Sequence, residues 1–245
     1  MMKEIEILQV VLTVLVGIGA GFVQRVSGFG LGIFSMMFMP HFMTSNAAAA
    51  TISCLLSSGT STYNAVKYRK QIVFKTIIPL ICAASITIPI AVYFSVWVSG
   101  KIFKIILGVV LICFSVYFFT FENRLTIKPS LKSSLIAGGI GGTLNGLFST
   151  GGPPVVLYLS NATTDKMVYF AGIQFYFAVT NIYSVIFRFI NGIVTPSVLL
   201  YALAGFVGCM VGDMLGKHVF DKMDTRKLKI VIYVGMIISG VLMFF

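Results

Sequence analysis

Carboxylates are scarce in this sequence: seven Asp and Glu in 245 residues, against 18 Lys and Arg. All charged residues together make up only 10% of the chain, where soluble domains carry about 25%. That is too little polar surface to cover a chain that is 58% hydrophobic with a mean hydropathy of +0.98. A water-soluble core is excluded, and lipid must serve as the solvent. Histidine is as rare, with only His41 and His218. Neither belongs to an H-E-x-x-H motif, and no pair of Asp lies within an apolar run, which excludes metallo- and aspartyl-type intramembrane hydrolases. A serine type would need a base within reach of the nucleophile, and both histidines lie near segment ends. The chain is therefore not read as an enzyme. The four cysteines (Cys54, Cys82, Cys113, Cys209) stand singly in apolar stretches without a C-x-x-C pair. Disulfide and zinc frameworks need clustered spacing, so no metal and no cofactor are expected.

Long hydrophobic runs are what the chain has instead. A membrane barrel would show short alternating strands, whereas these runs are continuous and read as helices. The first run follows a short head with Lys3, Glu4 and Glu6 and has no A-x-A cleavage signal, so it is expected to be retained. Residues 7–24 are charge-free, and so are 26–66, 76–100 and 105–121. As one helix, the 26–66 stretch would be about 61 Å long, roughly twice the hydrocarbon thickness. It must turn, and Gly28, Gly30, Gly32 and Pro40 mark the place, leaving about 44–66 for a full span. The second half repeats the pattern: 133–164 is charge-free and interrupted by Gly151-Gly152-Pro153-Pro154, then come 167–187, 189–212 and 230–245.

The halves align at an offset of 121: Gly17/Gly138, Gly21/Gly142, Gln24/Asn145, Gly30/Gly151, Thr60/Asn181 and Lys67/Arg188 coincide. Such matches point to duplication, with a first repeat at 1–121, a cytoplasmic linker at 122–132 and a second repeat at 133–245. Four full crossings per half would split the basic residues nine against nine. A hairpin that enters and leaves on one side in each half inverts the second repeat. Thirteen cations (Lys67, Arg69, Lys70, Lys75, Arg124, Lys128, Lys132, Lys166, Lys217, Lys222, Arg226, Lys227, Lys229) then face the cytoplasm. Lys3, Lys101, Lys104 and Arg188 remain outside, with Arg25 within the membrane. The second arrangement obeys the positive-inside rule. The expected fold is an all-α polytopic membrane protein of two inverted repeats, each a Gly/Pro-broken helical hairpin plus three transmembrane helices. It would sit multi-pass in the plasma membrane with both termini outside. The net charge of +11 then reflects loop topology, and no nucleic-acid partner is expected.

Irregular backbone within a membrane must be buried in protein or line a polar cavity. Short broken segments at matched positions of two repeats are a pointer to a transport site. Half-helix N-termini brought together offer free N–H groups and partial positive charge, which suits an anion. In the first half the candidate binding residues are Gln24, Arg25, Ser27, Gly28 and Gly30. In the second they are Asn145, Ser149, Thr150, Gly151, Gly152 and Pro153, the proline suiting a first helical turn. Arg25 could make a bidentate contact to an oxyanion, pair with Asp213, or reach an interface; Asp213 is expected to pair with Lys217 one turn on. Ser53, Ser57, Thr60 and Asn64 form a polar stripe along one helix, and Gln174 and Asn181 are the repeat equivalents of Ser53 and Thr60. Ser57, Thr60, Gln174 and Asn181 could line a path or join helices. Gly17-xxx-Gly21 and Gly138-xxx-Gly142 read as close helix packing.

The run Gly-Gly-Ile-Gly-Gly-Thr-Leu-Asn-Gly-Leu-Phe-Ser-Thr-Gly-Gly-Pro-Pro (138–154) resembles the second-half motif of the TauE/SafE sulfite-exporter family, within the toluene-sulfonate uptake permease superfamily. Gly-Phe-Val-Gln-Arg-Val-Ser-Gly-Phe-Gly-Leu-Gly (21–32) sits where that family carries its earlier Gly-rich motif. Family members usually show a richer Gly run where this chain has Phe29 and Leu31. The resemblance implies a secondary transporter of small sulfur oxyanions such as sulfite, sulfoacetate or related organosulfonates, often an exporter. An anion channel, or an importer of a different small organic anion, uses the same residues. Besides the anion and the bilayer, a homodimeric partner is left open.

Overall fold

The computed structural model describes residues 2–121, 127–220 and 225–245. Arg124 and Lys222, which enter the charge count, lie outside them. The described residues form ten α-helices and no strand. The first half runs α1 (Met2–Ser27), α2 (Leu31–Phe38), α3 (Asn46–Lys67), α4 (Phe74–Trp97) and α5 (Gly100–Phe121). The second runs α6 (Leu131–Phe148), α7 (Gly152–Ala162), α8 (Lys166–Ile190), α9 (Pro196–Phe220) and α10 (Thr225–Leu242). Among the described residues, five spans are long and apolar enough to cross a membrane: Glu6–Ser27, Phe74–Trp97, Gly100–Thr120, Lys166–Ile190 and Pro196–Lys217. The expected all-α polytopic membrane architecture is what the chain forms.

Local chemistry explains where the helices begin. The Ser45 hydroxyl accepts from Ala48 N–H at the start of α3, and the Asp165 carboxylate accepts from Met167 and Val168 N–H at the start of α8. Ser130 and Ser133 form a reciprocal capping box that opens α6, satisfying donors that have no partner within a helix. Both charge-free stretches too long for one span break where the glycines stand, between Ser27 and Leu31 and between Phe148 and Gly152.

The packing is reciprocal. α1 lies on α9, α6 on α4, α3 on α8, and α5 on α10. Each broken hairpin therefore leans its long arm on the fourth helix of the other half. Glycine makes these approaches close: a Cβ on Gly17 would strike the Gly205 carbonyl, and one on Gly21 the Cys209 carbonyl. On the other side, a Cβ on Gly138 would strike the Leu80 carbonyl, and one on Gly142 would overlap Thr87 and Ala84. Without a hydrophobic drive between helices in lipid, such small-residue faces supply association through close van der Waals contact.

Candidate functional site

The first hairpin tip is held by its own polar side chains. The chain turns at Gly28, whose φ of 83° favours glycine. The Ser27 hydroxyl donates to the Val23 carbonyl at 2.8 Å and accepts from Gly30 N–H at 3.1 Å. Gln24 Oε1 accepts from Leu31 N–H, the first residue of α2, at 3.2 Å. From α8, Gln174 Nε2 donates to the Gly28 carbonyl at 2.7 Å, while its Oε1 accepts from Gln24 at 3.4 Å.

The second tip is less satisfied. Ser149 takes the left-handed conformation at φ 58° and ends α6. Gly151 precedes α7 and lies against the Gly141 carbonyl and Asn145, with Pro153 in the first turn. The tips touch: a Cβ on Gly32 would fall on the Ser149 carbonyl, and one on Gly152 would sit 3.2 Å from the Phe29 ring. The N-termini of α2 and α7 thus meet inside the protein. Around them Asn145 Nδ2, Ser149 Oγ, Thr150 Oγ1 and Tyr176 Oη are buried without a hydrogen-bond partner. Buried polar groups are nearly always paired, so this cluster is unusual.

Arg188 completes the second tip. It is 0% exposed, and no carboxylate is paired with it among the described residues. Its Nε donates to Ser184 Oγ at 3.3 Å and Nη1 to Thr51 Oγ1 at 3.3 Å. Nη2 donates to the Gly146 carbonyl at 2.6 Å and the Asn145 carbonyl at 3.3 Å. The Cys54 thiol adjoins the guanidinium, Ser184 and Ser149. Arg188, expected among the outside charges, is inside the protein because α8 continues to Ile190. One turn beyond it, Asn191, Gly192 and Ile193 help line a cavity of about 1510 Å³. That cavity also gathers Glu6, Gln9, the 40–48 segment, Ser95, Lys101, Phe103, Lys104, Tyr201 and residues 242–245. Phe103 at its wall packs on Phe148 with ring centroids 4.8 Å apart, directly before Ser149.

The family model described as the sulfite exporter TauE/SafE matches residues 13–243. The chain belongs to the TauE/SafE family. It is accordingly a multi-pass membrane protein of an anion-exporter family, and not an enzyme. Both hairpin tips and Arg188 fall inside the matched range. Searches of curated proteins and of solved structures gave no match.

Within this TauE/SafE chain the other expected site residues are distributed as follows. Arg25 turns away from the tips: its Nη1 lies 3.8 Å from Asp213 Oδ1 on α9, with side chains 19% and 36% exposed. Asp213 faces Arg25, not Lys217, because α9 packs along α1 and Gly216 lets the Arg25 stem lie against it. Asn181 Nδ2 donates to Ser57 Oγ at 2.7 Å, and the Cys54 thiol donates to Asn181, so these groups join α3 to α8. The Thr60 hydroxyl bonds its own helix, at the carbonyls of Leu56 and Ser57. Ser53 Oγ and Asn64 Oδ1 on the same stripe are buried without partners. Sequence reasoning missed Arg188 as a site residue. The signal was present: it stands alone between charge-free runs of 167–187 and 189–212, the same logic that singled out Arg25.

Proposed function

We propose that this protein is a secondary transporter that exports small sulfur oxyanions, such as sulfite, sulfoacetate or related organosulfonates, by alternating access across the plasma membrane. The observation that carries this reading is the meeting of the α2 and α7 N-termini amid buried, unpartnered donors, in a membrane interior nearly devoid of carboxylates. Helix N-termini present free N–H groups and partial positive charge to an anion. Sulfur oxyanions are favoured because the chain belongs to the sulfite-exporter family. An inside-negative potential drives anions outward with about 2.3 kcal/mol per charge per 100 mV, so export needs no carboxylate for a coupled proton.

The halves act as inverted repeats that rock about the tips, with both termini outside. Support comes from the reciprocal packing of α1 on α9 and α6 on α4. Further support comes from the cavity, which gathers residues near both chain ends. Lys67, Lys132, Lys166 and Lys217 lie at the opposite ends of their helices, with Lys128 just before α6, as the positive-inside rule asks of a cytoplasmic face.

Anion flux into proteoliposomes under an imposed potential tests the reading. Saturable flux with counterflow is expected for sulfite or an organosulfonate. No flux for sulfite, sulfoacetate or thiosulfate overturns it, and single-channel currents would make the protein a pore.

A further inference from the structure

We propose that Arg188 is the cation that receives the anion, in a site completed by Thr51, Ser184, Ser149 and Thr150. Its guanidinium rests on the C-terminal carbonyls of α6. The proposal deepens the transport reading and rests on it, but it concerns a different residue from those the hairpin motifs contain.

An arginine within a membrane interior is costly and almost always paired. Arg188 is fully buried, donates to two hydroxyls and two backbone carbonyls, and has the Cys54 thiol beside it. Those carbonyls, of Asn145 and Gly146, belong to the last turn of α6, where free C=O groups carry partial negative charge. They hold a guanidinium in place but leave its full charge uncompensated. A purely structural cap for α6 would need no further donors beside it. Here the neighbouring groups are donors in excess: Asn145 Nδ2, Ser149 Oγ and Thr150 Oγ1 are each more than nine-tenths buried and unpartnered. They surround the N-terminus of α7, an 11-residue helix whose own dipole adds positive character at the same point.

One singly charged oxyanion answers all of these demands together. Its oxygens offer two parallel acceptors to the planar guanidinium fork, a geometry that an ammonium cannot match. The remaining oxygen is left for the hydroxyls and the α7 N–H groups. A monoanion balances the one buried positive charge, whereas a dianion such as sulfate would leave a net negative charge in the interior. The class implied is therefore a hydrogen sulfite or organosulfonate headgroup, preferred over sulfate and over a spherical halide. The approach is from the cavity, by way of Phe103 at its wall, whose ring packs on Phe148 next to Ser149.

The test measures binding of methanesulfonate, sulfite, sulfate and chloride to the purified full-length protein by titration calorimetry, with proteoliposome flux alongside. Arg188→Lys keeps the charge but not the fork. It should weaken methanesulfonate at least tenfold and erase its preference over chloride. Thr51→Ala and Ser184→Ala keep the arginine and should each weaken methanesulfonate several-fold. Should Arg188→Lys fail to fold, Thr51→Ala and Ser184→Ala still decide. A purely structural arginine would lower the melting temperature of Arg188→Lys without moving the methanesulfonate-to-chloride ratio, and an unchanged ratio overturns the proposal. Wild-type flux with unaltered KM and selectivity in Arg188→Lys also overturns it, while leaving the transport reading intact. Binding that depends on Arg188 without any wild-type flux sinks the transport reading and keeps the site. A wild type that neither binds nor moves any of these anions sinks both.

Discussion

Gln174 is fully buried on α8, yet its side chain organises the opposite hairpin by donating to the Gly28 carbonyl and accepting from Gln24. Gln174→Leu would leave that carbonyl buried and unpaired, at a cost of about 1–3 kcal/mol. Thermal unfolding in detergent should show the corresponding fall in melting temperature. Gln24 and Ser27 were legible as tip residues from their place beside the glycines. Their partners were not, because a contact 150 residues away in the chain leaves no local periodicity. Arg188 shows the same limit differently. Its isolation among apolar residues was the signal, but the positive-inside count set it among the outside charges. Only the extension of α8 past it and its bonds to the last turn of α6 bring the guanidinium to the tip. Arg25, equally conspicuous in sequence, has an acid within reach, and Arg188 has none among the described residues.

Helices in this protein meet through glycine faces, and the positions of these faces were legible while their partners were not. A small-residue ridge says that something comes close, not which helix it is. Gly21→Ala and Gly142→Ala each drive a Cβ into an opposing helix, at the Cys209 carbonyl and at Ala84 with Thr87. Each should destabilise by about 1–3 kcal/mol, the usual cost of overpacking. Gly139→Ala on the same helix meets only the Thr87 methyl at 3.9 Å. It should be neutral, or stabilising by up to about 1 kcal/mol through better helix propensity. Melting curves of the three variants check the contrast. Gly32→Ala acts on function: its Cβ would fall on the Ser149 carbonyl and push the tips apart. Misplacing a binding group by about 1 Å can cost two orders of magnitude, so flux should drop about tenfold or more in proteoliposomes.

At the scale of the whole molecule, charge and packing agree. The cavity with Lys101 and Lys104 also holds Glu6 and Phe245, while Lys67 and Lys70 sit at the far ends of α3 and the turn after it. Lys70→Cys and Lys101→Cys, made singly in a chain without native cysteines, should be labelled by an impermeant maleimide from opposite faces. Labelling from the same face would sink the inverted arrangement. The two breaks were legible from charge-free lengths, since a 41-residue stretch cannot be one span. The exchange of hairpins between halves was not, because hydropathy measures contact with lipid and is blind to which helix replaces it.

That exchange also fixes an order of events at the ribosome. The glycine face of α1 leaves the translocon long before α9 is synthesised, and α4 likewise waits for α6. The nascent first half must therefore remain in the bilayer with its broken hairpin uncovered, which invites a membrane chaperone or premature degradation. The docking of α9, one of the last helices to emerge, is what locks the first helix in place.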